Sequence, residues 1–372
     1  MKVLITGANG FVGKNLIAHL SERADIEIVR FTRDDNVNHL STLMKGVDFV
    51  FHLAGVNRPQ DPKEFEAGNT NLTQALCDAV SACGRSVPVL YTSSIQAELN
   101  NLYGSSKRGA EEALTALEVQ NGSPVYLFRL PNIFGKWARP NYNSAVATFC
   151  HNIVSGLPVS INDPKAVINL VYIDDVIKQF IAVMDGKFSG DRFVGVEPQY
   201  SITVEALVTQ LEAFRESRAT LISEPVGNGL VRALYSTYVS YLPPENFTYQ
   251  VPKYGDQRGV FVEMLKTENS GQFSYFTAHP GVTRGGHYHH SKTEKFLVIK
   301  GQACFRFKNI ISDEFYELIT VGDNPEIVET VPGWTHDITN VGEEELIVML
   351  WANEIFDREL PDTYARPLGI EA

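Results

Sequence analysis

The sequence predicts an α/β domain with a doubly wound, Rossmann-like parallel sheet over residues 1–243, followed by an all-β sandwich or barrel over residues 244–372. A glycine-rich turn between a strand and a helix lies at the N-terminus, which is typical of the first type of domain. Strand and helix patterns then alternate through the first half of the chain. Beyond Pro243, short strand-like runs are separated by Gly, Pro and Asn turns, which is typical of an all-β fold.

The composition restricts the class of partner. The chain of 372 residues is 44% hydrophobic and 20% charged, so it can bury ordinary cores. A net charge of −12 and a pI of about 5.3 argue against nucleic acid or an anionic membrane as the main partner. No apolar run is long enough to span a membrane, and Met1 leads into a strand rather than a secretory signal. The four scattered cysteines are typical of reduced thiols, so we expect a cytoplasmic protein.

The first strand and the turn after it predict a dinucleotide-binding site. An apolar run at residues 3–6 leads into a glycine-rich turn, and an amphipathic helical pattern follows. Glycines between a strand and a helix let the backbone approach a pyrophosphate at the helix N-terminus. The residues predicted to contact the cofactor here are Gly7, Gly10, Phe11, Val12 and Gly13.

The second strand indicates which dinucleotide is bound. An acidic residue at its end would bind the ribose hydroxyls of NAD, but the sequence has Arg30 and Arg33 in this region. Because arginines suit a 2′-phosphate, we predict NADPH as the cofactor, with two solvated surface arginines as the alternative. Only one short helix fits between Arg33 and Val47, so this half lacks a strand–helix unit of the usual fold.

The third strand is predicted to end close to the cofactor. His52 lies within its apolar run, and we interpret it as a structural histidine. Leu53, Ala54 and Gly55 follow at the point where the backbone must pass close to the dinucleotide. These three residues are therefore predicted to contact the cofactor.

Tyr103 and Lys107 carry the predicted chemistry of the first domain. Residues four apart lie on one face of a helix, so the phenol and the ammonium can point into one cleft. A lysine near a tyrosine favours the phenolate, which lowers a pKa of about 10 and permits proton transfer near neutral pH. Ser94, at the end of the preceding strand, would hold a carbonyl oxygen while Tyr103 supplies its proton. A solvated helix with an i,i+4 pair is the alternative, but the predicted cofactor turn favours hydride transfer.

These motifs together resemble the extended short-chain dehydrogenase/reductases that act on nucleotide sugars. The resemblance covers roughly the first 230 residues in the order of the family, and it implies a reductase or a related enzyme of nucleotide sugars. The matching segments are Thr6–Gly13, His52–Gly55, Ser93–Ser94, Tyr103–Lys107, Arg129–Gly135 and Val171–Val176.

The loop after the fifth strand is predicted to bind the substrate. The family resemblance implies that Asn132 faces the sugar nucleotide. An acidic protein needs local cations to bind a diphosphate, and Lys136 and Arg139 follow closely enough to serve. Trp137 would either stack on a base or pack within the loop.

A cluster of histidines and a glutamate predicts a metal site in the second domain. Five of the nine histidines follow residue 278, which weighs against scattered core histidines. His287 and His289 share one face of a strand because side chains alternate. With Glu294 and His336 from neighbouring strands, they form a set of ligands that suits Zn²⁺, Fe²⁺, Mn²⁺ or Ni²⁺. Zinc is our prediction.

The spacing of these ligands resembles the two motifs of the cupins, which are jelly-roll barrels. Residues 256–263 and 284–288 also resemble the dTDP-4-keto-6-deoxyglucose 3,5-epimerases, which are cupins too. That resemblance implies a substrate-binding role for Arg258 and Arg284, and it implies that His287 is a general base that needs no metal. His287 is therefore either ligand or base. We favour the ligand, which leaves His290 as the residue to test as the base.

From end to end, the chain resembles the CapF/WbjC-type bifunctional enzymes of bacterial capsule and O-antigen synthesis. Residues 55–59, 140–144 and 234–238 strengthen the match. The resemblance implies a substrate that is a UDP-linked 4-keto-6-deoxy amino sugar, epimerised at C3 by the cupin and reduced at C4 with NADPH. We also expect a homodimer. The alternatives are a cupin that serves only as a metal-stabilised dimerisation module, and a redox-iron oxygenase; the motif at 256–263 favours the bifunctional enzyme.

Overall fold

A computed structural model of the chain describes residues 1–251, 253–256, 259–262, 265, 271–354 and 359–369. The chain divides into two units, one formed by residues 1–144 and 168–201 and the other by residues 145–167 and 202–372. Residues 244–372 therefore share their unit with two earlier segments of the chain. Among the described residues, no helix is both long enough and apolar enough to cross a membrane.

A parallel sheet is the framework of the first unit. Its strands are β1 (Lys2–Thr6), β2 (Glu27–Phe31), β3 (Phe49–His52), β4 (Val89–Ser94) and β5 (Val125–Leu130). They lie in the order β2-β1-β3-β4-β5 and every neighbouring pair is parallel. Val50, Leu90 and other apolar residues of the central strands are fully buried, as expected when both faces of a parallel sheet are covered. The predicted Rossmann-like α/β domain is confirmed.

The helices connect these strands and continue into the second unit. A short helix is the main helical element between β2 and β3, which confirms that a strand–helix unit is missing there. A three-stranded sheet follows β5 in the chain, with strands β6 (Asn132–Phe134), β7 (Val167–Tyr172) and β8 (Gln199–Thr203) in the order β6-β7-β8. Strands β6 and β7 pair in parallel. The helices are α1 (Phe11–Leu20), α2 (Leu40–Leu43), α3 (Lys63–Phe65), α4 (Leu72–Ser81), α5 (Leu102–Asn121), α6 (Ala145–Val154), α7 (Ile173–Met184), α8 (Val204–Thr220) and α9 (Gly229–Val239).

Two antiparallel five-stranded sheets form the β-rich part of the second unit. The strands are β9 (Thr248–Gln250), β10 (Lys253–Asp256), β11 (Gly259–Val262), β12 (Gln272–Ala278), β13 (Thr283–Tyr288), β14 (Glu294–Lys300), β15 (Gln302–Asn309), β16 (Phe315–Val321), β17 (Glu326–Glu329), β18 (Trp334–Asn340), β19 (Leu346–Ala352) and β20 (Tyr364–Ala365). One of these sheets has the order β12-β19-β14-β17-β9 and the other β16-β15-β18-β13-β20, while β10 and β11 form a separate antiparallel pair. Phe296 of the first sheet lies 5.8 Å from Phe305 of the second, ring centre to ring centre. The predicted all-β domain is confirmed as an all-antiparallel domain.

A buried ion pair ties a helix of the second unit to one of these sheets. Lys295 Nζ on β14 lies 2.9 Å from Glu329 Oε1 on β17, and both side chains are almost fully buried. Tyr235 on α9 donates a hydrogen bond of 2.6 Å to the same carboxylate, and Lys295 donates one of 2.9 Å to the hydroxyl of Tyr249. Because Lys295 and Glu294 are consecutive on the strand, they face opposite sides of the sheet. Helix α9 is therefore held on the side away from Glu294.

Candidate functional site

The glycine-rich turn before α1, residues 7–13, is called the glycine cradle. It packs so closely against neighbouring backbone that side chains at Gly7 and Gly13 have no room. Gly7 has a φ of 67°, in the left-handed region, and a Cβ there would lie 2.7 Å from the backbone nitrogen of Ala54. A Cβ on Gly13 would collide with the carbonyl oxygen of Gly7. Gly10, the N-cap residue of α1, offers no side chain to the helix end, so the first N–H groups can bind an anion. Phe11 and Val12 begin the helix at this point.

The backbone after β3 lines the same cradle. The backbone N–H of Ala54 donates to Thr6 Oγ1 at 3.2 Å, and a Cβ on Gly55 would lie 3.0 Å from Lys107 Nζ. Leu53 is half-buried beside them. The lysine therefore lies against the backbone at the end of β3, where a side chain at position 55 would crowd it.

His52 has the structural role predicted from the sequence. Its two ring nitrogens lie 2.7 Å from Thr6 Oγ1 and 2.8 Å from Thr73 Oγ1, and the side chain is fully buried. Burial lowers the pKa of the imidazole to about 3, so the ring is neutral at physiological pH. His52 links three elements of the core and does not reach the cleft as an acid or base.

Arg30 and Arg33 lie at and just beyond the end of β2. Both side chains are exposed. Strand β2 lies at the edge of the sheet beside β1, which leads into the glycine turn. Both arginines therefore lie near the end of the strand where the adenosine of a dinucleotide is expected. Their placement fits the predicted contact with a 2′-phosphate, which stays a prediction.

Ser94, Tyr103 and Lys107 come together from the end of β4 and the first turns of α5. Asn101 caps α5 by accepting a hydrogen bond of 2.7 Å from the backbone N–H of Gly104, and this fixes where the helix begins. Lys107 Nζ donates to the carbonyl oxygen of Thr92 at 2.9 Å and lies 6.0 Å from the centre of the Tyr103 ring. Ser94 and Lys107 are buried, whereas Tyr103 is half-buried.

The electrostatics of this site differ from the expectation in one respect. Burial raises the pKa of Tyr103 above its ordinary value, and its hydrogen bond with Ser94 acts in the opposite direction. The expected lowering by Lys107 is therefore wrong for the cofactor-free chain, because the ammonium is turned toward Thr92. Burial also lowers the pKa of Lys107 to about 8, although the Coulomb interaction with Glu111 opposes this. The phenol is protonated at neutral pH and is thus ready to act as an acid.

Two buried residues that the sequence analysis missed support this site. Glu111, one turn beyond Lys107, accepts hydrogen bonds from Ser93 Oγ at 2.5 Å and from Arg129 Nη2 at 2.7 Å. Asn69 lies in a π-helical turn between α3 and α4 and donates to Ser106 Oγ at 2.9 Å. Such turns are often found at functional sites, but the sequence carries no periodic signal for them.

The structure changes the role expected of Lys136. Its ammonium is buried, 1% exposed, and lies 2.7 Å from Asp174 Oδ1, while its carbonyl oxygen accepts a hydrogen bond of 3.1 Å from Asn15. Lys136 therefore fixes the loop to α1 and α7 instead of facing a diphosphate, since its charge is already used by Asp174. Asn132 and Arg139 are exposed, and the Arg139 guanidinium lies 5.5 Å from the ring of Tyr142.

Four side chains of the second unit converge between the two antiparallel sheets. Their donor atoms all lie within 4.8 Å of one another, as the sequence predicted for His287, His289, Glu294 and His336. His287 on β13 is paired directly with His336 on β18, in one sheet, and Glu294 begins β14 in the other. His289, Glu294 and His336 are buried, and His287 is half-buried at the open side of the cluster.

The hydrogen bonds within this cluster are consistent with a cation between the ligands. His289 Nδ1 lies 2.5 Å from the backbone carbonyl oxygen of Asp362, which can only accept, so Nδ1 carries the proton. The other ring nitrogen, Nε2, faces Glu294 Oε2 at 3.1 Å. His336 Nε2 lies 3.5 Å from the same oxygen, and both ring nitrogens of this buried histidine lack a hydrogen-bond partner among the described residues. The residues present therefore fit a divalent metal.

Charge and burial affect two of these residues strongly. Burial would raise the pKa of Glu294, but His289, His336 and Lys292 hold it well below its ordinary value. Burial lowers the pKa of His287 to about 3. Both shifts favour the states that bind metal, namely a carboxylate and a neutral imidazole.

The other predicted residues of this domain lie apart from the cluster. The ring of His290 packs against Tyr288 and Tyr364 at 5.4 and 4.8 Å, centre to centre, and it is not among the converging side chains. His290 is therefore not one of the converging ligands, and its role as the base stays a prediction. Arg284 is exposed and donates to Thr277 O at 2.7 Å. Arg258 lies outside the described residues.

Comparison with known proteins identifies the family. Residues 3–194 match the NAD dependent epimerase/dehydratase family, and residues 254–364 match the polysaccharide biosynthesis C-terminal domain. The UDP-2-acetamido-2,6-beta-L-arabino-hexul-4-ose reductase of Pseudomonas aeruginosa is 65% identical over 369 residues, which are 99% of each protein. The capsular polysaccharide assembling protein CapF from Staphylococcus aureus has a similar crystal structure, with 38% identity and a TM-score of 0.69 over 99% of this chain and 100% of that one. This chain belongs to the CapF-type family.

The predicted CapF-type resemblance is thus confirmed. The first part of the chain also shares its fold with UDP-glucuronic acid 4-epimerase from Bacillus cereus, solved in complex with NAD. That similarity has a TM-score of 0.56 at 18% identity and covers 65% of this chain and 98% of the epimerase chain. At this identity the likeness concerns the fold, which is one that binds a nicotinamide cofactor.

Proposed function

We propose that this CapF-type chain is a bifunctional enzyme of nucleotide-sugar synthesis. Its β-rich domain, which we assign to the cupins, epimerises C3 of UDP-2-acetamido-2,6-dideoxy-L-arabino-4-hexulose. Its N-terminal domain then reduces the C4 ketone with NADPH to UDP-2-acetamido-2,6-dideoxy-L-talose. The product would lie on the route to UDP-N-acetyl-L-fucosamine for capsule or O-antigen. The P. aeruginosa relative, whose name states the reductase reaction on this sugar, supports the substrate.

The observation that carries the reductase is the meeting of Ser94 and Tyr103 beside the glycine cradle. Ser94 and the phenol hydrogen-bond to each other, so both can hold one ketone oxygen. Because burial keeps the phenol protonated, Tyr103 can give its proton to that oxygen as negative charge develops. The bound nicotinamide would supply the hydride. With the cofactor bound, Lys107 would hold the nicotinamide ribose and stabilise the phenolate that remains. Its ammonium nitrogen lies 6.0 Å from the centre of the Tyr103 ring.

The epimerase proposal rests on the chemistry of a 4-ketone and on the cluster between the sheets. The ketone makes the C3 proton acidic, so one group can remove it and another can return it from the opposite face. His287, the half-buried member of the cluster, is the one most accessible to a substrate. We assign it as a ligand with His289, Glu294 and His336, and Zn²⁺ is the proposed ion. When bound, the ion would stabilise negative charge on an enolate oxygen or would hold the barrel together.

Hydrogen exchange tests this function in the full-length protein. Tyr103→Phe protein, incubated with the 4-keto sugar in D₂O without NADPH, should incorporate deuterium at C3, as measured by mass spectrometry. The further change His336→Ala should abolish the exchange. Exchange that survives the loss of His336 would contradict the role of the cluster. A wild-type enzyme that reduces the sugar without any exchange would make the second domain a non-catalytic dimerisation module.

The proposal also includes a cytoplasmic homodimer. NADPH and nucleotide sugars are both substrates that this location supplies, and the acidic surface favours no membrane partner. Light scattering at micromolar concentration should give twice the chain mass of 41.4 kDa. A mass of one chain would contradict the dimer without affecting the proposed reaction.

A further inference from the structure

Asp362 makes an unusually large number of contacts with the turn that carries a proposed metal ligand. Its carboxylate accepts hydrogen bonds from the backbone N–H groups of His290, Ser291 and Lys292 at 2.8, 2.7 and 2.7 Å. The hydroxyl of Ser291 donates a fourth, at 2.9 Å. One carboxylate therefore satisfies every backbone donor of a three-residue turn. This turn separates His289 from Glu294, so its shape decides how those two side chains face each other.

The backbone of Asp362 acts on the ligand itself. Its carbonyl oxygen lies 2.5 Å from His289 Nδ1. A carbonyl can only accept, so Nδ1 carries a proton in this contact, and Nε2 is the ring nitrogen that faces the cluster. Nε2 is the nitrogen that lies 3.1 Å from Glu294 Oε2, within the cluster. The residue thus combines two functions, one through its carboxylate and one through its main chain.

We infer that Asp362 is a positioning residue for His289, fixing the orientation of its ring through the backbone carbonyl and its place through the carboxylate that binds the turn at 290–292. The inference rests on the proposed metal site, which it deepens. Partners of this kind commonly change metal affinity 10- to 100-fold when they are removed. Asp362 lies 73 residues after His289 in sequence and follows the last long strand of the sheets, so no local motif connects the two.

Two measurements on the full-length chain test the inference. In the Asp362→Ala variant the carbonyl is no longer held by the turn, so we expect zinc affinity to fall about 10- to 100-fold in competition with a chromophoric chelator. Asp362→Asn keeps one acceptor oxygen and should give a smaller loss. The second readout needs no metal: the ¹H–¹⁵N imidazole spectrum of the metal-free wild type should show a proton on His289 Nδ1 that exchanges slowly with solvent, because it is buried and bonded to the Asp362 carbonyl. His289→Gln assigns the signal, and in Asp362→Ala the proton should exchange quickly.

Asn340→Ala is the matched control. Its buried side chain donates to Ala278 O at 2.9 Å and to Glu344 O at 2.8 Å, so its loss destabilises the same domain without touching the ligand turn. Equal losses of zinc affinity in Asp362→Ala and Asn340→Ala would overturn the inference, as would an unchanged exchange rate of the His289 Nδ1 proton in Asp362→Ala. A wild-type chain that binds no zinc would refute the metal site, and the exchange of the Nδ1 proton would still decide whether Asp362 orients His289.

Discussion

The ammonium nitrogen of Lys107 lies 2.9 Å from the carbonyl oxygen of Thr92, so helix α5 is tied to strand β4 two residues before Ser94. This bond brings a group from each element to one side of the cradle. It also turns the charge of Lys107 away from the phenol of Tyr103 in the absence of a cofactor. The bond between Lys107 and Thr92 therefore fixes how the first turns of α5 lie against the end of β4.

Tyr103→Phe should abolish NADPH oxidation and leave C3 exchange intact. A positioned acid contributes roughly 10²- to 10⁴-fold to a rate, so the loss should be of that size. The rate of NADPH oxidation with the 4-keto sugar measures it. Ser105→Ala, exposed on the same turn of α5, is the control and should retain the wild-type rate. A Tyr103→Phe enzyme with the wild-type rate would remove this tyrosine from the mechanism.

Lys107 should give the cofactor-free protein a distinct dependence of stability on pH. Its pKa falls from 10.5 to about 8 in the folded chain, so between these values the unfolded chain binds more protons. The free energy of unfolding from this group therefore rises with pH in that window, by at most about 3 kcal/mol. Urea unfolding at several pH values should show the rise in the wild type relative to Lys107→Met. Parallel curves for the two proteins would contradict the buried charge.

NADPH should be preferred to NADH because of Arg30 and Arg33. Hydrogen bonds to a charged group contribute about 1.5–3 kcal/mol, so replacing both arginines with alanine should reduce the preference about 10-fold or more. The ratio of kcat/KM for the two cofactors measures this. Lys45→Ala with Lys63→Ala removes the same charge from exposed positions elsewhere and should leave the ratio unchanged. If the arginine variant keeps its preference, specificity for the phosphate lies elsewhere.

The second domain should contain one divalent ion, with zinc expected. Binding couples to folding, so removing the ion with a chelator should lower the melting temperature of the domain. If the ion serves only stability, C3 exchange should fail only as the domain unfolds. If it also stabilises the enolate, exchange should stop while the domain is still folded. Elemental analysis that finds no metal in unchelated protein would return His287 to the role of base.

Replacing one member of the buried pair Lys295–Glu329 should destabilise the fold strongly, whereas replacing both should destabilise it little. Lys295→Met leaves a buried carboxylate with its main charge partner gone, so stability should fall by about 3–5 kcal/mol. Adding Glu329→Gln removes the isolated charge and should restore most of that loss. Chemical unfolding of the single and double variants gives the comparison. A double variant as unstable as the sum of both single variants would show that the pair is not coupled.

Most of the features predicted from sequence have a local pattern, and the place of His336 in the metal cluster is an exception. The glycine turn, the Tyr103–Lys107 spacing and the strand signals around His287 all follow from residues within a few positions of each other. The structure added relationships across long separations, such as Lys136 with Asp174 and His289 with Asp362. The sequence does not show which charged residues pair with each other in the fold, so Lys136 was expected to face a ligand. The direction of the Tyr103 pKa was missed for a related reason, because burial depends on packing.

Helix α9, which ends before residue 243, contacts the turn that leads into β14. Ser236 on α9 donates a hydrogen bond of 2.6 Å to the carbonyl oxygen of Ser291, and Arg232 donates to the hydroxyl of the same residue. A gene fragment that begins at residue 244 would omit both donors and leave the turn before Glu294 without this support. A shortened chain meant to contain the β-rich domain alone should therefore begin before α9, so that both donors are kept.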